Sequence, residues 1–183
     1  LNRNRLFLWI AAGFVAFPFA GLAARAIGSL DGLMVAVAAG AIAGAVIGTG
    51  QWLVLRGIGI DARWIVATTL GFAAGLGIGV SVFGYETATS TQVAVGAASG
   101  LGIGIAQWPL LRRRFNASFL WVPATAGLWA LGWAVSIGSG VDLTSERWAT
   151  FGVLGSVTMA ILSGALLWML RRRSLTSPKP VIA

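Results

Sequence analysis

Six runs of about twenty residues, none containing a charged side chain, constrain this chain more than any other feature. They cover Leu6–Ala24, Gly32–Leu55, Trp64–Gly84, Gln92–Leu111, Phe119–Ser139 and Trp148–Leu170. A run of that length crosses the ~30 Å hydrocarbon core of a bilayer as a helix. In lipid the backbone must satisfy its own polar groups, which leaves helices and closed barrels. The runs are continuously apolar rather than alternating, so they read as helices and not as barrel strands. The 183-residue chain is 57% hydrophobic and 10% charged. A water-soluble domain of that size has too little interior to hide so much apolar surface. The expected architecture is therefore an all-α integral membrane bundle over residues 1–173, followed by a tail over 174–183.

The charges orient the bundle. If the N-terminal side is inside, Arg3, Arg5, Arg56, Arg63, Arg112, Arg113, Arg114, Arg171, Arg172, Arg173 and Lys179 are all inside. The outer loops then keep only Arg25 and Arg147, with the acids Asp31, Glu86, Asp142 and Glu146; Asp61 alone falls inside. This is a positive-inside pattern, so both termini are expected in the cytoplasm and the protein in a bacterial plasma membrane. The basic residues are placed to meet anionic lipid heads. They do not form the clustered basic and aromatic surface that a nucleic-acid groove needs. Arg3 and Arg5, the first apolar run and Ala24-Arg25-Ala26 imitate a cleavable signal peptide. The internal repeat makes that run a structural member instead.

The repeat has a period of about 56 residues. Gly40, Gly44 and Gly48 are followed 56 later by Gly96, Gly100 and Gly104, and again by Gly152, Ser156 and Ala160. Gln51, Gln107 and Ser163 obey the same rule. Trp9, Trp64 and Trp121 open the odd runs at offsets of 55 and 57. Many positions sharing one offset mark an internal repeat. The chain reads as three two-helix hairpins, about 6–56, 64–112 and 119–171. Two helices per unit keep the copies parallel, about an axis along the membrane normal.

Small residues four apart let two helix backbones approach closely. Gly40, Gly44 and Gly48, then Gly71, Gly75 and Gly79, then Gly96, Gly100 and Gly104 supply such faces; runs 1 and 5 offer alanines. A Gly/Ala zipper packing is expected throughout. Gln51 and Gln107 continue the glycine faces, each five residues before an arginine, roughly 7–8 Å along a helix. An amide in hydrocarbon must find a partner. Two roles fit: an interhelical clamp, or a polar ring of Gln51, Gln107 and Ser163 lining a path near the axis. Trp9, Trp52, Trp64, Trp108 and Trp121 are expected as interfacial anchors.

The chain has no Cys and no His. No carboxylate or lysine falls within an apolar run, so proton-coupled transport, intramembrane hydrolysis and metal or haem ligation lack their usual groups. An enzyme is not expected and no cofactor is required. Bound lipid or an unliganded pigment such as a carotenoid remains compatible with the Trp and Gly surfaces.

Gln51-Trp52-Leu53-Val54-Leu55-Arg56 and, less closely, Gln107-Trp108-Pro109-Leu110-Leu111-Arg112 give the chain a resemblance to uncharacterised bacterial multi-pass membrane proteins with repeated Q-W-L-x-L-R hairpins. The resemblance implies the architecture and supplies no activity. Two functional readings stand. One is a non-catalytic structural or accessory subunit that packs with other membrane protein subunits and lipid in a larger complex. The alternative is a small passive channel or permease for a neutral solute or lipid.

Overall fold

The computed structural model describes residues 3–28, 32–142 and 149–176. Asp31, Glu146, Arg147, Trp148 and Lys179 lie outside the described residues, as does the tail beyond 176. The described chain forms α1 (Arg3–Arg25), α2 (Leu33–Leu55), α3 (Arg63–Phe83), α4 (Thr89–Leu111), α5 (Trp121–Gly138) and α6 (Val153–Thr176). Short 3₁₀ turns at Arg56–Ile58 and Ser118–Leu120 lead into α3 and α5. All six helices contain a stretch long and apolar enough to span a membrane.

Two boundaries differ from the sequence reading. The last helix starts at Val153 rather than Trp148, because Gly152 spends its backbone N–H on the Ser136 hydroxyl at 3.0 Å, tying the entry of α6 to α5. Its other end runs through Thr176, three residues into the expected tail. Arg171, Arg172 and Arg173 thus belong to a helix, where cations near the C-terminal end favour the helix dipole. The prolines break nothing. Pro18 and Pro109 sit inside unbroken helices, and Pro123 occupies the first turn of α5, where an N–H has no helical partner to lose.

Each helix packs against the ones before and after it in the sequence, and α1 also packs against α6. The six therefore close into a ring. One end of the ring carries the N-terminal start of α1, the α2–α3 and α4–α5 connections and the C-terminal end of α6. It is the arginine-rich end.

Polarity does not tell the inside of this ring from the outside, since the helices are apolar on every side. Packing against the neighbouring helices does. Leu70, Ile78, Val82 and Ile105 are exposed on the perimeter, as are Phe7, Phe19 and Phe119. Inside lie alanines, Ile47, Leu55, Leu111 and the rings of Phe17, Phe72 and Trp129. The nine glycines named above sit where helices touch. A Cβ at Gly44 would come within 2.8 Å of the Thr68 carbonyl in α3, one at Gly71 within 2.7 Å of the Gly102 carbonyl in α4, and one at Gly100 within 2.9 Å of the Ala126 Cα in α5. Gly40 and Gly48 face α3 in the same way, Gly75 and Gly79 face α4, and Gly96 and Gly104 face α5.

The interior is stacked in layers. Beneath the arginine-rich end lie Leu55, Leu111 and Leu167 among Trp9, Trp64 and Trp121. Deeper come Ile47, Ile103 and Met159, then Phe17, Phe72 and Trp129, all buried in one continuous cluster. Trp129 lies 4.6 Å from Phe72 and 5.8 Å from Phe17, measured between ring centroids. Phe151 stacks on Phe17 at 5.0 Å and meets Trp129 edge-on at 5.1 Å. These distances suit favourable aromatic pairs. Helices α1, α3 and α5 are not neighbours in the ring, so their side chains meet across its middle and fill it.

Candidate functional site

The candidate polar residues come together one turn below the Leu55–Leu111–Leu167 layer. Gln107 is 1% exposed and Gln51 8% exposed. Gln51 reaches Trp64 across the α2–α3 contact, and its Oε1 accepts the indole N–H at 3.0 Å. Gln107 does the same across α4–α5, accepting the Trp121 N–H at 2.8 Å. Its own amide N–H donates to the Thr68 hydroxyl at 2.8 Å and, more weakly, to Gln51 Oε1 at 3.4 Å. Thr68 in turn donates its hydroxyl hydrogen bond to the Trp64 carbonyl at 2.8 Å. On the remaining side of the ring, Ser163 accepts the Trp9 N–H at 3.0 Å across α6–α1. All three sequence candidates are thus hydrogen-bonded to an indole on the next helix around the ring. Gln51 and Gln107 also touch each other, while Ser163 bonds only to Trp9 and, at 3.4 Å, to the Ala160 carbonyl of its own helix.

This corrects the role of three tryptophans. Trp9, Trp64 and Trp121 are not interfacial anchors: they are 2%, 0% and 1% exposed. An indole has a single N–H to satisfy, and a buried side-chain oxygen does so as well as a headgroup or water. With that acceptor supplied by the facing helix, the whole ring can be buried. Trp64 and Trp121 even tilt against each other at 6.3 Å.

Trp52 and Trp108 remain on the perimeter, half-buried. Each lies under an arginine one turn on, Arg56 at 5.7 Å and Arg112 at 5.5 Å from the ring centroid, within cation–π range. A third pair escaped the sequence reading: Arg172 covers Trp168 at 3.8 Å. Trp168 lies five residues after Ser163, whereas Trp52 and Trp108 directly follow Gln51 and Gln107. The residue directly after Ser163 is Gly164. A Cβ there would lie 2.9 Å from both Leu6 and Trp9, so a glycine is what lets α1 approach α6.

The sequence reading did not single out Thr68 as a partner of Gln107, nor the aromatic layer. The layer had a signal. Phe17, Phe72 and Trp129 recur at 55 and 57, the offsets of Trp9, Trp64 and Trp121. The milder hydroxyls, by contrast, behave as expected for membrane helices. Thr49, Thr69, Ser81, Ser99, Ser136, Ser156 and Thr158 each donate to the carbonyl four residues back.

Chemically, the layer contains amides, hydroxyls and indoles. These exchange hydrogen bonds, but none changes charge near neutral pH. The Asp61–Arg63 ion pair lies outside the helical interior. Asp61 accepts from Arg63 at the arginine-rich end, with 2.5 Å between Oδ2 and Nη2. The Arg63 side-chain and backbone hydrogen bonds hold the Asp61 carboxyl below its usual range. Both residues are exposed, and such pairs contribute little. No known protein family, curated protein or solved structure matches the chain.

Proposed function

We propose that the chain is a non-catalytic structural subunit of a larger membrane complex, built as three parallel hairpins of about 56 residues around a pseudo-threefold axis. On this reading the glycine and alanine faces are a zipper that brings the hairpins together. The tryptophan–amide bonds fasten each hairpin to the one before it, and the Trp9–Ser163 bond closes the circle. The arginine-rich end faces the cytoplasm of a bacterium, and the apolar perimeter meets lipid and neighbouring subunits.

One observation carries the choice of a structural role over a passive channel. The middle of the ring is occupied by Phe17, Phe72, Trp129 and Phe151, and the two glutamines above them are engaged with indoles and with each other. A permeation path would need polar groups left open to a solute and a gap for it to pass.

Two measurements test the reading. Proteoliposomes containing the purified chain should take up water and small neutral solutes no faster than empty vesicles. Uptake that is lost on changing Gln107 to leucine, with the fold retained, would replace the structural role with a channel. In native membranes solubilised with mild detergent, the chain should migrate in an assembly of more than one kind of subunit. Migration as an isolated chain would sink the accessory role.

A further inference from the structure

The arginine-rich end holds a concavity of about 350 Å³ that the tryptophan–amide layer does not explain. It is lined by Gly57 and Ile58 after α2, Arg114 and Phe115 after α4, and Arg171 and Ser174 on α6. Its size falls at the low end for small-molecule sites. Helices α2, α4 and α6 alternate around the ring, so a bowl lined by the ends of all three lies over the middle of the ring, not on its lipid-facing side.

The bowl is built rather than incidental. Phe115 is buried and forms part of the Trp–Leu cluster beneath. Ser174 accepts the Asn116 backbone N–H at 3.0 Å and donates to the Leu170 carbonyl at 3.0 Å, fixing the loop after α4 to α6. Arg114 donates one Nη2 hydrogen bond to the Gly59 carbonyl at 3.0 Å, which anchors its guanidinium across the mouth toward the α2–α3 connection. A guanidinium has five N–H donors, so most of its fork remains after that bond. The Arg5 guanidinium lies against Gly57, beside the bowl. No carboxylate lines the bowl. Among the described residues Asp61 is the only acid at this end, and it is paired with Arg63.

We propose that this bowl binds a soluble phosphate-bearing anion, gripped between the Arg114 and Arg171 guanidiniums. Arginines from two separate segments lining one concavity suit a group with several anionic oxygens, whereas a single fork already satisfies a carboxylate. Ile58 and Phe115 offer an apolar floor to whatever the phosphate carries. The position over the middle of the ring favours a solute from the aqueous side over a lipid headgroup, whose chains would have to stay outside the helices.

The test titrates the full chain in a non-ionic detergent with inorganic pyrophosphate at constant ionic strength and follows Tm. A saturable rise is expected, because a ligand of the folded state stabilises it by mass action. Arg114→Gln and Arg171→Gln should each weaken the midpoint by about tenfold or more. Arg63→Gln, outside the bowl, should leave it unchanged. Should either Gln variant fail to fold, Arg114→Lys and Arg171→Lys keep the charge, lose the fork and should still weaken the midpoint. A rise that follows ionic strength alone, or is equal in wild type and all variants, overturns the proposal. A parallel arm uses nanodiscs with and without phosphatidylglycerol. Stabilisation by that lipid with no response to pyrophosphate would overturn the assignment to a soluble ligand. Neither arm depends on whether the chain is a subunit or a channel.

Discussion

A buried indole N–H is a small liability; this protein answers it with one oxygen each at Trp9, Trp64 and Trp121 and leaves the Trp52 N–H without a partner among the described residues. The answers are not equal. Gln107 is the most connected, bonding Trp121, Thr68 and Gln51 at once. Changing Gln107 to leucine strips the acceptor from Trp121 and should cost about 1–3 kcal/mol, the usual penalty for stranding a buried donor. Combining it with Trp121→Phe removes the stranded donor as well. The pair should then cost less than the sum of the single changes, by about 0.6–1.7 kcal/mol in a double-mutant cycle. Reversible unfolding in mixed micelles gives all three values, and strict additivity would argue that the bond contributes nothing. The Ser163–Trp9 pair makes the same kind of bond with a different side chain. Serine is shorter than glutamine, and Gly164 beside it allows Trp9 to move up and meet it.

Among the helices, small residues act by letting backbones touch, and position decides whether a glycine matters. A methyl group added at Gly100 would strike the Thr125 carbonyl and crowd Ala126 of α5. Gly127, on α5 itself, has nothing within 4 Å of where its Cβ would be. Gly100→Ala should therefore lower stability by about 1–3 kcal/mol through overpacking. Gly127→Ala should leave stability unchanged or raise it by up to ~1 kcal/mol, since alanine loses less backbone freedom than glycine in a helix. Melting both variants in the same detergent makes each the control for the other. Equal effects would mean that the α4–α5 contact does not depend on close backbone approach. The glycine spacing was legible in the sequence, but which neighbour each face meets was not. A stripe of glycines fits any helix with a smooth face, and only the ring order pairs α2 with α3, α3 with α4 and α4 with α5.

The whole molecule is asymmetric along its length. Arginines collect at one end, and Glu86 and Asp142 stand at the other. Single cysteines should report this directly. In intact cells, Glu86→Cys should react with an impermeant thiol reagent, and Arg113→Cys should react only after the membrane is opened. Labelling of Arg113→Cys from outside would invert the proposed orientation. The ring is also closed, which makes α1 and α6 neighbours although they are farthest apart in sequence. Gly164→Leu should force α1 from α6, since even a Cβ there lies 2.9 Å from Leu6 and Trp9. A cysteine at Ala160, buried on α6 where it faces Gly13 of α1, should then become reactive. An unreactive cysteine in that background would show that the closure does not depend on this contact.

The apolar runs alone determined how many helices there are and that each is long and apolar enough to cross a membrane, because backbone satisfaction in hydrocarbon leaves few alternatives. They also marked Gln51 and Gln107 as residues in need of partners, since an amide in such a run is costly when unpaired. Only the tertiary structure decided who those partners are. Trp64, Trp121 and Trp9 look like interfacial residues in a linear sequence because they open apolar helices. They are buried because the helix next to each in the ring brings an oxygen within 3.0 Å or less. The filled axis is likewise invisible to hydropathy. A helix that is apolar on every face carries no mark of which face turns inward, and the convergence of Phe17, Phe72 and Trp129 exists only once the ring has closed.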